Sequence, residues 1–125
     1  MALTVTSRVK STGVYVVSPV GSLDTNTYDQ LEKRLEPILQ ESPRLIVFDM
    51  AGLEYISSMG VRVFVKLKKQ LKKTGGTVTM LRLQPQIQKV FEIINALPSV
   101  TIFSSIEEMD NYLDLMQRET SEKNG

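Results

Sequence analysis

The stretch RLIVFDMAGLEYISSMGVRVF, residues Arg44–Phe64, decides the fold class. Its first seven residues, Arg44–Met50, show almost no alternation of polar and apolar side chains, which is typical of a strand buried on both faces of a sheet. The segment VRVFVKLKKQLKK, residues 61–73, then carries apolar residues at helical spacing. A buried strand that leads into an amphipathic helix indicates an α/β domain.

The same alternation extends outward in both directions along the chain. Before this stretch, the sequence shows strand patterns at 2–9 and 14–20 and a helical pattern within 21–40. After it come strand patterns at 77–83 and 100–103, a helical pattern at 85–97 and a last helix from Ser104. We therefore predict a single-domain α/β fold, a mixed β-sheet with helices packed on it, in the order β-β-α-β-α-β-α-β-α. We place the domain at residues 3–117 and a polar, frayed tail at 118–125.

Two prolines are expected to disturb these elements. Pro19 predicts a sheet edge or the end of the second strand, because proline cannot donate to a strand ladder. Pro37 predicts a kink or a weakened last turn in the first helix.

The composition excludes several kinds of chemistry. The 125 residues contain no cysteine and no histidine, which removes thiol nucleophiles, a Ser-His-Asp triad and Cys/His zinc sites within this chain. We expect no enzymatic activity, no cofactor and no metal. With 15 basic and 14 acidic residues the net charge is +1, which favours neither nucleic acid nor an anionic membrane. No signal peptide or membrane span is indicated, so we expect a cytoplasmic protein.

Two adjacent serines, Ser57 and Ser58, lie where the strand pattern gives way to the helix pattern. A serine at such a junction commonly caps the helix, because its oxygen accepts from a backbone N–H that has no partner in the first turn. A helix start also favours a phosphate group, whose negative charge suits the free N–H groups and the helix dipole. A catalytic nucleophile is the least favoured reading, because the chain has no histidine to act as its base.

Two further features have a plain reading and a functional one. Asp24 either caps the first helix or lies on the serines' edge of the sheet, where its carboxylate could orient a hydroxyl or contact a partner's cation. The second helix carries a basic side, which is either a solvated face or a docking surface for an acidic partner. That side consists of Arg62, Lys66, Lys69 and Lys73.

Four segments in register resemble the STAS domain, and within it the stand-alone bacterial anti-sigma factor antagonists. They are GSLDTNTYDQL, RLIVFDMAGLEYISSMGVRVF, KKTGGTVTMLRLQPQIQKVFEI and VTIFSSIEEMDNYL. The resemblance covers about residues 3–117. It implies a protein that binds an anti-sigma factor while unphosphorylated and is released by phosphorylation. The implied partner is itself a serine kinase of the histidine-kinase-like ATPase type, and a serine phosphatase would reverse the modification.

The resemblance also implies site residues. The family's acceptor falls on Ser58, with Ser57 as the second candidate; the loop aspartate falls on Asp24 and the strand-end aspartate on Asp49. Met59 departs from the small or hydroxyl residue usual after the acceptor, which points to a different partner specificity. The expected partner-binding residues are Asp24, Ser57, Met59, Gly60 and Arg62.

An alternative function is compatible with the same fold and involves no phosphorylation. The chain could be a constitutive structural STAS subunit of a transport or other signalling assembly, in which Ser58 only caps the helix. A nucleotide-binding role is less favoured, because Thr74-Gly75-Gly76 follows a helix instead of preceding one.

Overall fold

A twisted sheet with helices on it organises the chain in the computed structural model, which describes residues 2–93, 101–103, 105, 107, 108, 110–112, 114 and 115. The elements in chain order are β1 (Leu3–Ser11), β2 (Val14–Leu23), α1 (Tyr28–Gln40), β3 (Leu45–Asp49), β4 (Leu53–Ile56), α2 (Ser58–Lys72), β5 (Thr77–Leu81), α3 (Pro85–Ile93) and β6 (Thr101–Phe103). The predicted α/β class is confirmed. The predicted last helix and tail lie mostly outside the described residues, although those described between 107 and 115 are helical.

One strand was not predicted. The predicted order has no element between β3 and α2, where the residues of β4 pair in parallel with β2. The order is therefore corrected to β-β-α-β-β-α-β-α-β over the described elements. β4 could not be predicted from the sequence because the strand has four residues, of which only the outer two, Leu53 and Ile56, are buried. Neither alternation nor a continuous apolar run is visible in so short a segment.

The sheet order places the ends of the parallel strands together. The strands lie in the order β1-β2-β3-β5-β6, with β4 beside β2. β1 and β2 form an antiparallel hairpin, and the other pairs are parallel. Because parallel strands share one direction, β2, β3, β4, β5 and β6 end at the same edge of the sheet, which we call the carboxyl edge.

β2 pairs with two strands in succession. Residues Val14–Val17 pair with β3, and residues Gly21–Leu23 pair with β4. Pro19 lies in the gap between these two pairings, opposite Val5 of β1. The expectation that Pro19 marks an edge or a strand end is therefore wrong. A proline is tolerated inside this strand because the ladder on the side of β3 and β4 is interrupted there.

β3 is buried on both faces, as its lack of alternation predicted. Ile46 and Phe48 belong to the main core, while Leu45 and Val47 belong to a smaller cluster with Val14, Val16 and Leu81. The main core contains side chains of α1, α2 and α3, which therefore pack on the same face of the sheet. Its aromatic centre is Phe64, whose ring lies 4.8 Å from that of Phe48, edge to face, and 5.6 Å from that of Phe91.

The proline in α1 does not end the helix. α1 continues to Gln40, three residues beyond Pro37. The chain leaves the helix through Ser42, whose φ of +49° lies in the left-handed region. The backbone N–H of Ser42 donates to the carbonyl oxygen of Leu39 at 3.1 Å and closes the last turn.

Candidate functional site

The carboxyl edge gathers the residues that the sequence analysis singled out. Leu23 ends β2 and is followed by Asp24; β4 ends at Ile56 and is followed by the two serines. The backbone N–H of Ser57 donates to the carbonyl oxygen of Leu23 at 2.9 Å. That bond brings Asp24, the next residue in the chain, beside the Ser57–Ser58 pair. The prediction that the two loops share one edge of the sheet therefore agrees with the structure.

The two serines differ in position and partner. Ser57 is the N-cap of α2, with extended backbone angles, and its Oγ accepts from the backbone N–H of Gly60 at 3.3 Å. Ser58 is the first residue of the helix, and its side chain is exposed. No residue in the described part of the chain hydrogen-bonds to the Ser58 hydroxyl. Capping therefore belongs to Ser57, and the Ser58 hydroxyl faces solvent.

Gly60 sets how closely α2 approaches the sheet. It is buried, and a Cβ added to it would lie 2.8 Å from Cγ1 of Ile56, 2.9 Å from Cγ of Leu23 and 3.0 Å from the Leu23 carbonyl oxygen. Real side chains do not tolerate such contacts, so only glycine fits here without a shift of the helix. Gly60 therefore positions the start of α2, and its contact with a partner stays a prediction.

Asp24 organises the loop before α1. Its Oδ1 accepts from the backbone N–H of Asn26 at 2.9 Å and lies 3.2 Å from the hydroxyl oxygen of Thr27. Thr27 occupies the N-cap position of α1, but its hydroxyl makes no cap bond; it donates to the carbonyl oxygen of Ser22 at 2.8 Å. Asp24 is thus a turn-forming residue with a half-buried side chain.

Met59 and Arg62 extend the site along the first turn of α2. Met59 is half-buried and Arg62 is exposed. Arg62 follows Ser58 by four residues, a spacing that puts both side chains on one face of a helix. The first turn of α2 contains no acidic residue. Arg62 forms no ion pair with any residue that the structure describes, so its guanidinium is available to an anion at the helix start.

The basic side of α2 is partly neutralised by α1. Nζ of Lys66 lies 3.2 Å from Oε2 of Glu32, and both side chains are accessible to solvent. A solvated face with a surface ion pair accounts for this side of the helix.

Asp49, the last residue of β3, forms an ion pair with Arg82, which follows β5. Its two oxygens accept from Nε of Arg82 at 3.3 Å and from Nη2 of Arg82 at 2.5 Å. This hydrogen bond, together with the negative charge of the carboxylate, raises the pKa of the Arg82 guanidinium. Arg82 has a φ of +55°, in the left-handed region, and turns the chain away from the end of β5.

Three residues near the site escaped the sequence analysis. Tyr55 is 48% exposed and lies two residues before the cap, although a tyrosine in a buried-looking stretch gives no sign of facing solvent. Gln84 and Gln86, after β5, donate to backbone carbonyls of the chain around β4. Gln84 lies in a connecting segment and Gln86 is an exposed residue in the first turn of α3, so neither contributes to an apolar pattern. Their bonding partners are more than thirty residues away in the sequence.

The described residues contain neither a candidate metal site nor a helix suited to span a membrane. No group of three or more histidine, cysteine, aspartate or glutamate side chains there could hold a metal ion. Among the helices of that part of the chain, none is long and apolar enough to cross a membrane.

Comparison with known proteins identifies the family. The STAS domain model matches residues 6–109. BtrV of Bordetella bronchiseptica, a candidate anti-sigma factor antagonist by its name, is 32% identical over 98 residues, covering 78% of this chain and 84% of BtrV. The predicted resemblance to STAS domains is thereby confirmed.

Solved structures share the fold at lower identity. The anti-sigma factor antagonist SpoIIAA in its unphosphorylated form matches with a TM-score of 0.75 at 19% identity, over 90% of this chain and 96% of that chain. SpoIIAA, a Bacillus protein, has also been solved in a phosphorylated form, which matches with a TM-score of 0.68 at 20% identity, over 90% of this chain and 99% of that chain. A sulfate transporter family protein from Wolinella succinogenes matches with a TM-score of 0.75 at 16% identity, over 89% and 93% of the two chains. Since the family model spans most of the sequence and its fold recurs in these structures, the chain belongs to the STAS domain family.

Proposed function

We propose that this protein is an anti-sigma factor antagonist that binds its anti-sigma factor while Ser58 is unmodified and is released when Ser58 is phosphorylated. The observation that carries the proposal is the exposed Ser58 hydroxyl at the first residue of α2, next to a separate residue, Ser57, that caps the helix. The relatives named as anti-sigma factor antagonists support the binding function, and the phosphorylated form of SpoIIAA supports the modification.

The proposed partner is both anti-sigma factor and serine kinase, of the histidine-kinase-like ATPase type. It transfers the γ-phosphoryl group of ATP to Oγ of Ser58: the new O–P bond forms as the bond to the β-phosphate oxygen breaks, ADP leaves, and the serine proton passes to a base on the kinase. A serine phosphatase returns the hydroxyl by hydrolysis. The antagonist itself supplies the acceptor and the docking surface, and performs no catalysis.

The fold of the antagonist should tolerate the phosphate. Phosphoserine carries about −1.5 to −2 charges at neutral pH, and negative charge at a helix N-terminus is stabilising by roughly 0.3–1 kcal/mol. Arg62, one turn further along α2, adds a positive side chain on the same face. Phosphorylation should therefore act on the contact with the partner and not on the fold.

The interface should reject the phosphate. Met59 and Tyr55, which lie close to Ser58 in the chain, offer partly exposed apolar surface, and a partner that covers this surface removes water from it. A double negative charge brought into such a contact costs several kcal/mol unless the partner adds a cation, because Arg62 can offset only one of the two charges. A loss of about 3 kcal/mol corresponds to roughly two decades of affinity, which is sufficient for a switch.

The test uses the partner that the protein captures from its native cells. The unmodified chain is immobilised, the retained kinase is incubated with it and Mg-ATP, and the modified residue is mapped by mass spectrometry. We expect phosphate on Ser58, loss of it in Ser58→Ala and retention of it in Ser57→Ala. The complex with Ser58→Asp should be at least about tenfold weaker, a smaller effect than the two decades estimated for the phosphate, because aspartate carries a single negative charge. Phosphate on neither serine, or equal affinity of Ser58→Asp, would leave the constitutive structural role as the better account.

A further inference from the structure

Two glutamine side chains that follow β5 donate hydrogen bonds to backbone carbonyls at the start of β4 and just before it. Nε2 of Gln84 lies 2.8 Å from the carbonyl oxygen of Ala51 and 2.8 Å from that of Leu53, and it donates one hydrogen to each. An amide nitrogen has two hydrogens, so both are used. The two carbonyls also fix the orientation of the amide, because its own oxygen would be repelled from that position.

Gln86 completes the arrangement. Its Nε2 donates to Oε1 of Gln84 at 2.8 Å and reaches the carbonyl oxygen of Glu54 at 3.5 Å. The Gln84 amide thus has both donors and its acceptor engaged, which leaves its side chain one favourable orientation. We call the side chains of Gln84 and Gln86 the amide bracket.

The amide bracket and β2 hold alternate carbonyls of the same short segment. The carbonyl oxygen of Gly52 accepts from the backbone N–H of Gly21 in β2 at 3.0 Å. The carbonyls on either side of it, those of Ala51 and Leu53, accept from Gln84. Ala51 and Gly52 form a turn, closed by the backbone N–H of Leu53, which donates to the carbonyl oxygen of Met50 at 3.1 Å. β2 therefore holds one carbonyl of this segment, and Gln84 holds the two beside it.

The segment held in this way leads directly to the phosphorylation site proposed above. Two residues, Tyr55 and Ile56, separate Glu54 from the capping Ser57. We propose that Gln84 is a positioning residue for Ser58: it holds β4 where Ser57 caps α2 and the Ser58 hydroxyl faces solvent. The role of the site as a phosphoacceptor rests on the proposed function, whereas the effect of Gln84 on its geometry does not.

The side chain can be tested apart from the backbone of the same residue. The carbonyl oxygen of Gln84 accepts from the backbone N–H groups of Ile87 and Gln88 at the start of α3, at 3.0 and 2.9 Å. A side-chain substitution leaves these bonds available. Gln84→Met keeps a similar volume and length but cannot donate. Gln88→Met is the matched control, because the Gln88 amide donates to Glu92 within α3 and does not reach β4.

The experiment is amide hydrogen exchange by NMR on the full chain without a partner. In Gln84→Met we expect the Ser57 amide, which donates to Leu23, to exchange about tenfold faster or more, because two hydrogen bonds that oppose local opening are lost. Amides of α1 and β3 should keep their rates, and Gln88→Met should match the native protein throughout. An unchanged Ser57 rate in Gln84→Met, or an equal acceleration in every element, would overturn the proposal.

The rate of Ser58 phosphorylation is a second measurement, and it tests whether the amide bracket affects the proposed function. With the captured kinase and Mg-ATP, Gln84→Met should be phosphorylated at Ser58 several-fold more slowly than the native chain, and Gln88→Met at the native rate. Equal rates for the two variants would overturn the positioning role. If the native chain itself receives no phosphate on Ser58, the proposed function fails while the exchange measurement still decides on the bracket.

Discussion

The side-chain oxygen of Ser57 accepts a hydrogen bond from the backbone N–H of Gly60, with 3.3 Å between Oγ and N. The hydroxyl of the adjacent Ser58 makes no such bond to any residue that the structure describes, and it is exposed. Two neighbouring hydroxyls therefore have separate roles, one holding the helix start and the other available to a partner. This difference separates the effects expected from substituting each of them.

Loss of the cap should cost stability, and loss of the acceptor should not. Ser57→Ala should lower the free energy of unfolding by about 0.5–2 kcal/mol, because the Gly60 N–H loses its partner. Ser58→Ala should change it by less than about 0.5 kcal/mol, as is usual for an exposed side chain without contacts. Urea unfolding of both variants with the native chain measures these differences. An equal or larger loss in Ser58→Ala would show that the capping role has been given to the wrong serine.

Phosphorylation at Ser58 should stabilise the free protein slightly. The gain should be roughly 0.3–1 kcal/mol at low ionic strength, because the phosphate lies at the positive end of α2, and it should shrink as salt screens the charges. The second pKa of phosphoserine, about 6, should fall in the folded state, since the helix start favours the dianion. The additional stability is then present above about pH 6 and is lost as the pH falls through the folded pKa.

Thermal unfolding of the phosphorylated and unmodified chains at two salt concentrations checks this expectation. Arg62→Gln is the control, because it keeps a long polar side chain at the same helical position and removes the charge. The phosphate-dependent gain should be smaller in this variant. Destabilisation by the phosphate would contradict a switch that acts at the contact alone, and would favour one that loosens α2.

Long periodic elements were predictable from the sequence because their burial pattern is local. The non-alternating stretch Leu45–Phe48 reflects burial on both faces of the sheet, and the helical spacing of Val61, Phe64 and Leu67 reflects one buried helix face. Each became an element of the predicted type. β4 could not be found in this way, because its existence depends on pairing with the distant β2 and not on its own pattern. Propensity and periodicity do not encode a partner strand.

The site shows the same limit at the level of single residues. The resemblance placed Ser57, Ser58 and Asp24 together, and the bond from Ser57 to Leu23 accounts for their closeness. Which serine caps α2 depends on where the first turn begins, and two adjacent serines give no local signal to decide it. The role of Gln84 could not be predicted from the sequence either, because it donates to backbone carbonyls 31 and 33 residues away. Every residue has a backbone carbonyl, so the sequence does not mark which ones accept these bonds.

Gly60→Ala should disturb the start of α2. The added methyl group would meet Leu23 and Ile56 at 3.0 Å or less, so we expect a loss of about 1–3 kcal/mol in the free energy of unfolding from overpacking. The backbone NMR shifts of Ser57 and Met59 should move with the helix. Gly75→Ala is the control: no atom lies within 4 Å of its added methyl group, and its positive φ of +79° causes only a backbone strain at the far end of α2. Unchanged shifts at Ser57 and Met59 in Gly60→Ala would contradict the positioning role of this glycine.

Ser42→Gly should stabilise the protein without affecting the proposed switch. Ser42 has a φ of +49°, and an L-residue in the left-handed region carries a cost of roughly 1–2 kcal/mol that glycine avoids. Part of this gain in stability is lost because glycine gives the unfolded chain more conformational freedom. The net gain should be about 0.5–1 kcal/mol, seen as a higher urea midpoint at an unchanged slope.

Two comparisons make the Ser42 prediction specific. Ser7→Gly, in the exposed part of β1 and without positive φ, should destabilise instead, because glycine weakens a strand interior. Ser42 precedes β3, at the edge of the sheet opposite the serines that follow β4, so affinity for the captured kinase and phosphorylation at Ser58 should match those of the native chain. A urea midpoint that does not rise in Ser42→Gly would mean that the Ser42 hydroxyl stabilises the turn by more than the backbone strain costs. An altered phosphorylation rate would mean that the two edges of the sheet are coupled.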